Sequence, residues 1–284
     1  MGNVRIVTDS TSDIPAEVRE RLGITMVPLK VVFGEETFSD AVTITPEQFY
    51  ERLRTTQELP TTSQPSPADF LEAYERLIDE DSDSPIISFH LASVLSGSYQ
   101  AGTIAASMVE RAADITIVDC KSASYGSGLQ VVRAAELAQA GESKERILEE
   151  VQRLRSNMGL YFLVDSLDNL QKGGRIGRAS ALIGSILNIK PILSLDQDGG
   201  VYSVDKVRGS KKAMGRIAEL LKAEFGDSPV ALVIAKTDNV EAAEELGERV
   251  KNELNVKEII HTTVGSVIGT HAGPGTCAVF VYRM

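Results

Sequence analysis

The chain has 284 residues, 43% hydrophobic and 24% charged, with a formal net charge of −11. That balance suits one large or two smaller globular α/β units, and the acidity argues against nucleic acid or an anionic membrane surface as partner. No run reaches the length of a membrane span, MGNVRIVTDS lacks a signal-peptide core, and Cys120 and Cys277 form no metal or redox pair, so a cytoplasmic protein with two buried thiols is expected.

VRIVTDS (Val4 to Ser10) reads as a buried strand ending in a polar turn, and PAEVRERLG as a helix with Pro15 near its start and Gly23 past its end. ITMVPLKVVFG continues as extended chain into a hairpin turn at GEETF, followed by the capped helix TPEQFYERLR. In LPTTSQPSPADFLEAYERL, four hydroxyl and amide residues stand between two prolines, ahead of an amphipathic helix that Ser66 and Pro67 can start. SPIISFHL is a second buried strand, leading into the helix LSGSYQAGTIAASMVERA. DITIVDC and SYGSGLQVVRAAELAQAG repeat that strand–helix unit. Apolar strands without alternation, interleaved with helices, predict a mostly parallel sheet covered on both faces.

The charged helix SKERILEEVQRLRSNM marks the expected boundary between an N-terminal α/β domain, residues 1–157, and a C-terminal one, residues 158–284. The second unit has a different plan. GLYFLVDS is a strand, KPILSLDQDGGVYSVDKVRG a hairpin around Gly199 and Gly200, and SKKAMGRIAELLKAEFG a helix. SPVALVIAKTD, NVEAAEELGERVKNEL, KEIIHTTVGSVIG and TCAVFVYRM read as strand, helix and two further strands, which predicts a mixed sheet.

The familiar catalytic signatures are missing. There is no G-x-x-x-x-G-K-[ST], no G-x-S-x-G and no H-E-x-x-H, and GGRIG at Gly173 to Gly177 is not the dinucleotide fingerprint. With three histidines, a zinc enzyme is not expected. What remains are hydroxyl-rich turns beyond strand ends, TDSTSD, TTSQP and LSGSYQ, where open α/β sheets bind ligands. Helix capping explains any one of these hydroxyls equally well. Ala181 to Ile189 is apolar on nearly every side, as a buried or cavity-lining helix would be. His271 stands among Gly269, Gly273 and Gly275 in an expected turn before the last strand, placed to meet an anion. Basic residues from Lys172 to Arg216 concentrate in the centre of the chain, which suits a small anion or an acidic partner; about half of them would serve helix ends instead.

Seven stretches occur in an order and approximate spacing that resemble the DegV family: TDSTSDIP, LPTTSQPSP, SGSYQ, FLVDSL with LQKGGRIG, KPIL, KVRGSKKA and IGTHAGPG. That family includes the fatty-acid-binding subunit of bacterial fatty acid kinase. The resemblance spans essentially the whole chain and implies a two-domain α/β fold with a long-chain fatty acid buried between the domains. It also implies a carrier with no catalysis and no cofactor of its own. A separate ATP-dependent kinase subunit would phosphorylate the bound carboxylate to an acyl phosphate for phospholipid synthesis. By the same resemblance Thr62 and Ser96 hold the carboxylate, with Thr61, Ser63, Ser98 and His271 as further ligand candidates. Arg175 and Arg208 would face phosphate or the kinase near the pocket mouth. Ser98 replaces a threonine common in relatives, and Gly177 and Arg178 fall in a variable part of their motif; neither removes a clamp hydroxyl. Two other readings stay open at this point: a stand-alone small-molecule phosphotransferase using the TDSTSD turn, and an amphiphile sensor with no kinase partner.

Overall fold

A computed structural model describes residues 3–56, 58–183 and 189–284. The first buried run folds as β1 (Arg5–Asp9), followed by α1 (Ala16–Leu22), which Gly23 ends in the left-handed region at φ 65°. Next come β2 (Thr25–Val27), β3 (Lys30–Phe33) and β4 (Glu36–Ser39), with the expected hairpin at Gly34. Helix α2 (Pro46–Thr55) starts in a capping box: Thr45 Oγ1 accepts from the Gln48 N–H while the Gln48 side chain accepts from the Thr45 N–H. After β5 (Thr61–Ser63), Ser66 and Asp69 build the same device at the head of α3 (Pro67–Glu80). Then β6 (Ile86–His90), α4 (Ser98–Met108), β7 (Ile115–Asp119), α5 (Tyr125–Gln139) and α6 (Lys144–Ser156) alternate as the sequence predicts.

The remainder runs β8 (Met158–Leu163), α7 (Asp168–Lys172), a 3-10 segment at Gly177–Leu182, β9 (Ile189–Leu195) and β10 (Val201–Arg208). It continues with α8 (Ser210–Phe225), β11 (Pro229–Lys236), α9 (Val240–Glu253), β12 (Asn255–Thr263), α10 (Ser266–Ala272) and β13 (Cys277–Arg283).

The described residues form three sheets. The order β2-β1-β6-β7 is parallel throughout, and β6 is buried at all five residues, as a central strand covered on both faces must be. The order β10-β9-β8-β13-β11-β12 is mixed, with β11 and β12 as its parallel pair. The small antiparallel sheet β4-β3-β5 is the third. One apolar cluster runs through Ile87, Phe89 and Leu129 to Phe162, Ala278 and Phe280, so the faces of the two large sheets share a core.

Two expectations are corrected here. TTS is a strand rather than a loop, because Thr62 pairs with Val31 at the edge of the small sheet. The run VGSVIGTHAGPG is mostly helix rather than strand and turn: β12 stops at Thr263 and α10 begins at Ser266. Distant groups hold that helix. Asp40 Oδ1 accepts from the Ser266 N–H at 3.2 Å, and the Tyr50 hydroxyl donates to the Val264 carbonyl at 3.0 Å. A Cβ on Gly269 would come within 2.3 Å of the Tyr50 hydroxyl, so only glycine allows α10 to lie so close to α2.

The β9–β10 hairpin docks its tip on the loops that follow β6 and β7. Gly199 sits at φ 87°, and a Cβ there would be 2.3 Å from Ala92 Cβ and 3.0 Å from the Lys121 backbone. Gly199→Ala is therefore expected to cost more than about 1 kcal/mol of unfolding free energy, since left-handed backbone strain and a steric clash act together. Urea unfolding of the variant measures it, and an unchanged midpoint would show that the tip is not docked.

Candidate ligand-binding cavity

Beyond the carboxyl ends of β6 and β7 lies a cavity of about 340 Å³. Its walls are mostly leucine, valine, isoleucine, phenylalanine and alanine from the mixed sheet, from α10 and from the loops after β6 and β7. Polar side chains collect at one end, and a closed ring of contacts shows how. Thr62 Oγ1 is 2.9 Å from His271 Nε2. His271 packs on Gly173, where a Cβ would stand 2.3 Å from Nδ1. Arg175 Nη1 donates to the Gly173 carbonyl at 2.7 Å and Nε to the Leu95 carbonyl at 3.0 Å. Ser96 follows Leu95, and Gly97 lies directly against the Gln64 side chain, two residues beyond Thr62.

Each member is placed by its local element. Strand alternation leaves Thr62 half-buried while Thr61 and Ser63 are exposed. Ser63 still borders the cavity; Thr61 does not. Ser96 lines it, and buried Ser98 stands behind, its Oγ 3.1 Å from Ser96 Oγ and its N–H donating to that oxygen at 3.3 Å. Helix α4 starts at Ser98 with no side-chain cap on Gly97, so the positive end of its dipole faces this polar corner. Of the residues singled out in the sequence, Thr62, Ser63, Ser96, Arg175 and His271 come together, whereas Thr61, Ser98 and Arg208 do not line the cavity. Arg208 is exposed at the end of β10, paired with Ile189.

Burial, with Arg175 nearby, pushes the His271 pKa down to about 4, so the ring is neutral at physiological pH. A neutral ring with its proton on Nε2 donates to Thr62 Oγ1 and leaves the Thr62 hydroxyl hydrogen free for a ligand oxygen. Two hydroxyls, a guanidinium and a helix N-terminus at one end of a largely apolar cavity are groups that can donate hydrogen bonds to an anionic oxygen.

The TDSTSD turn does something else. Thr8 to Ser12 are buried, and none of Thr8 to Asp13 lines the cavity. Asp9 accepts from the Thr11 and Leu91 N–H groups and lies 3.3 Å from His90 Nδ1. Ser12 Oγ donates to the Asp9 carbonyl. Asp13 accepts from Ser124 Oγ at 2.5 Å, and burial raises its pKa well above the usual carboxylate range. Ser124 in turn lines the cavity. The turn thus braces the cavity from behind through Ser124, while Ser10 and Asp13 border a separate recess of about 500 Å³.

Sequence reasoning missed Gln64, Ser124 and Thr276 as lining residues. Ser124 follows the end of β7 as Ser96 follows β6, so the strand-end rule could have found it. The apolar stretch Ala181 to Ile189 falls largely outside the described residues; within them, Ala181 and Ile183 are exposed. The described walls come instead from strand, helix and loop side chains.

Fold and cavity together define a layered α/β protein with a largely apolar cavity that is polar at one end. The chain belongs to the DegV family: the family model described as "Uncharacterised protein, DegV family" matches residues 3–284. It is 37% identical over 279 residues to Protein DegV of Bacillus subtilis, covering 98% of each chain. Among solved structures, it resembles a DegV family protein from Thermus thermophilus described as fatty acid binding, at 37% identity and TM-score 0.92, covering 99% of this chain and all of that one. DegV of Bacillus subtilis, described as a fatty acid binding protein, superposes at 36% identity and TM-score 0.89 over 100% of both chains.

Proposed function

We propose that this protein carries one long-chain fatty acid, its carboxylate at the Thr62–Ser96 end and its chain in the apolar cavity, and presents it to a separate ATP-dependent kinase subunit. The product would be an acyl phosphate for phospholipid synthesis. Residues 1–157 and 158–284 would then be the two jaws, since lining residues are drawn from both segments. The ring joining Thr62, His271, Gly173, Arg175 and Leu95 at one end of an otherwise apolar space carries this reading. The fatty acid binding of the Thermus and Bacillus relatives supports it.

Protein purified from a bacterial host should yield about one acyl chain per polypeptide on organic extraction and mass spectrometry. Absence of any acyl chain, followed by failure to load one, overturns the carrier reading. Acyl phosphate should appear with ATP only when the kinase subunit is added; production by this protein alone would make it an enzyme.

Arg175 and Arg208 should separate in such assays. Arg175 ties the Leu95 and Gly173 carbonyls together, so Arg175→Ala should lower both loading and phosphotransfer. Arg208 touches no cavity wall, so Arg208→Ala should keep full loading and slow phosphotransfer, with marked salt dependence in the parent protein. Unchanged transfer in Arg208→Ala would make that residue plain surface.

A further inference from the structure

The cavity ends against a wall that has a second recess on its other side. Ala278 and Phe280 alternate onto one face of β13 and line the cavity, as does Thr276 just before the strand. Thr276 Oγ1 donates to the Ala272 carbonyl, beside His271, so this strand leads away from the polar end. Phe280 pairs with Leu160 and Ala278 with Phe162. Phe162 pairs with Leu193, and continuing that antiparallel register by two residues sets Leu160 opposite Leu195, which pairs with Val201. Phe280, Leu160, Leu195 and Val201 thus form a row across four neighbouring strands, and all four line the cavity. Thr276 stands four positions before Phe280, a span of roughly 13 Å at the usual strand rise.

Past the row, Met158 at the start of β8 and Gln197 in the turn after β9 line a recess of about 560 Å³ together with Lys121, Arg155, Asp196 and Asp198. Leu160 and Leu195 line both spaces. Both are half-buried and pack on the edge of the shared core rather than within it. The recess beyond is charged: Lys121 pairs with Asp198, and Arg155 donates to the Asp119 carbonyl.

We infer that Leu160 and Leu195 form the end wall that sets the longest acyl chain this protein holds, an inference that rests on the fatty acid reading above. Each added methylene strengthens binding only while apolar room remains. A chain that outgrows the wall must displace a leucine or push its methyl end among charged groups. Shortening either leucine joins the two spaces, and enlarging one moves the wall towards the head group.

The test is a binding series of saturated acids from dodecanoic to docosanoic, run on wild type, Leu160→Ala, Leu195→Ala and Leu160→Phe. Wild-type affinity should climb by up to about fourfold per methylene and then break. Both alanine variants should carry the climb at least two carbons further, with the shorter acids unaffected, and Leu160→Phe should break it earlier. The opposite signs keep the test decisive if one variant fails to fold. The same break point in every folded variant, or a uniform loss at all lengths, overturns the end wall. A wild type that binds no acid of the series overturns the fatty acid reading instead.

Discussion

Thr62→Ala combined with Ser96→Ala is expected to weaken fatty acid binding about a hundredfold while leaving the fold intact. A hydrogen bond donated to a carboxylate in an apolar surrounding contributes about 1.5 kcal/mol or more, a factor of roughly ten for each hydroxyl. The two act on opposite sides of the polar ring, so their losses should add unless the head group shifts towards the remaining donor. Neither is part of the buried core: Thr62 stands on an edge strand, and Ser96 in the loop before α4. Thr62→Ala also removes the one hydrogen-bond partner of the His271 ring among the described residues, which frees that ring to turn towards the ligand. A fatty alcohol of equal length separates charge recognition from simple packing. It should bind the double variant nearly as well as it binds the parent, because it has no charge to lose. Competition against a fluorescent fatty acid measures both. Equal affinity of parent and double variant for the acid would reduce these hydroxyls to capping and edge-strand roles.

The unliganded protein is expected to lose roughly 3 kcal/mol of stability between about pH 7 and about pH 4 on account of His271 alone. Burial, reinforced by Arg175, lowers its pKa from 6.5 to about 4. The unfolded chain takes up a proton near 6.5, whereas the folded chain resists until about 4. Across that window the unfolded state holds more protons, so stability falls as pH falls, and the loss levels off below the folded value. His271→Gln cannot titrate and should lack this component. A bound carboxylate next to the ring favours its charged form, so the loaded protein should keep more of its stability on acidification. Urea unfolding at several pH values, with and without fatty acid, reads all three. An identical pH slope in the parent and His271→Gln would show that the ring is not held neutral by its surroundings.

Much of the architecture was legible without the structure, and for local reasons. Five consecutive buried residues in β6 announce a central parallel strand by their lack of alternation. Thr45 and Ser66, each ahead of a proline, mark helix starts within a residue, because a cap is satisfied three positions away. The order of short motifs along the chain pointed to the family, and Thr62, Ser96, Arg175 and His271 could be named as candidates from them.

What those residues do together was decided only by the tertiary structure. Thr62 and His271 are 209 positions apart, and nothing in either neighbourhood specifies their 2.9 Å contact. Which of Thr61, Thr62 and Ser63 turns inward depends on pairing with Val31, where a slip of one residue would reverse every side chain. Arg175 became a brace between two loops, and TDSTSD a buried support behind the cavity, because buried polar groups must find partners wherever the fold supplies them. Helix α10 replaces an expected strand and turn because Asp40 and Tyr50 meet it from far upstream. The row from Phe280 to Val201 exists through register across four strands separated widely in sequence. Capping and periodicity act over a few residues and can be read along the chain. Register, cavity walls and the pairing of distant polar groups are properties of surfaces brought together only by folding.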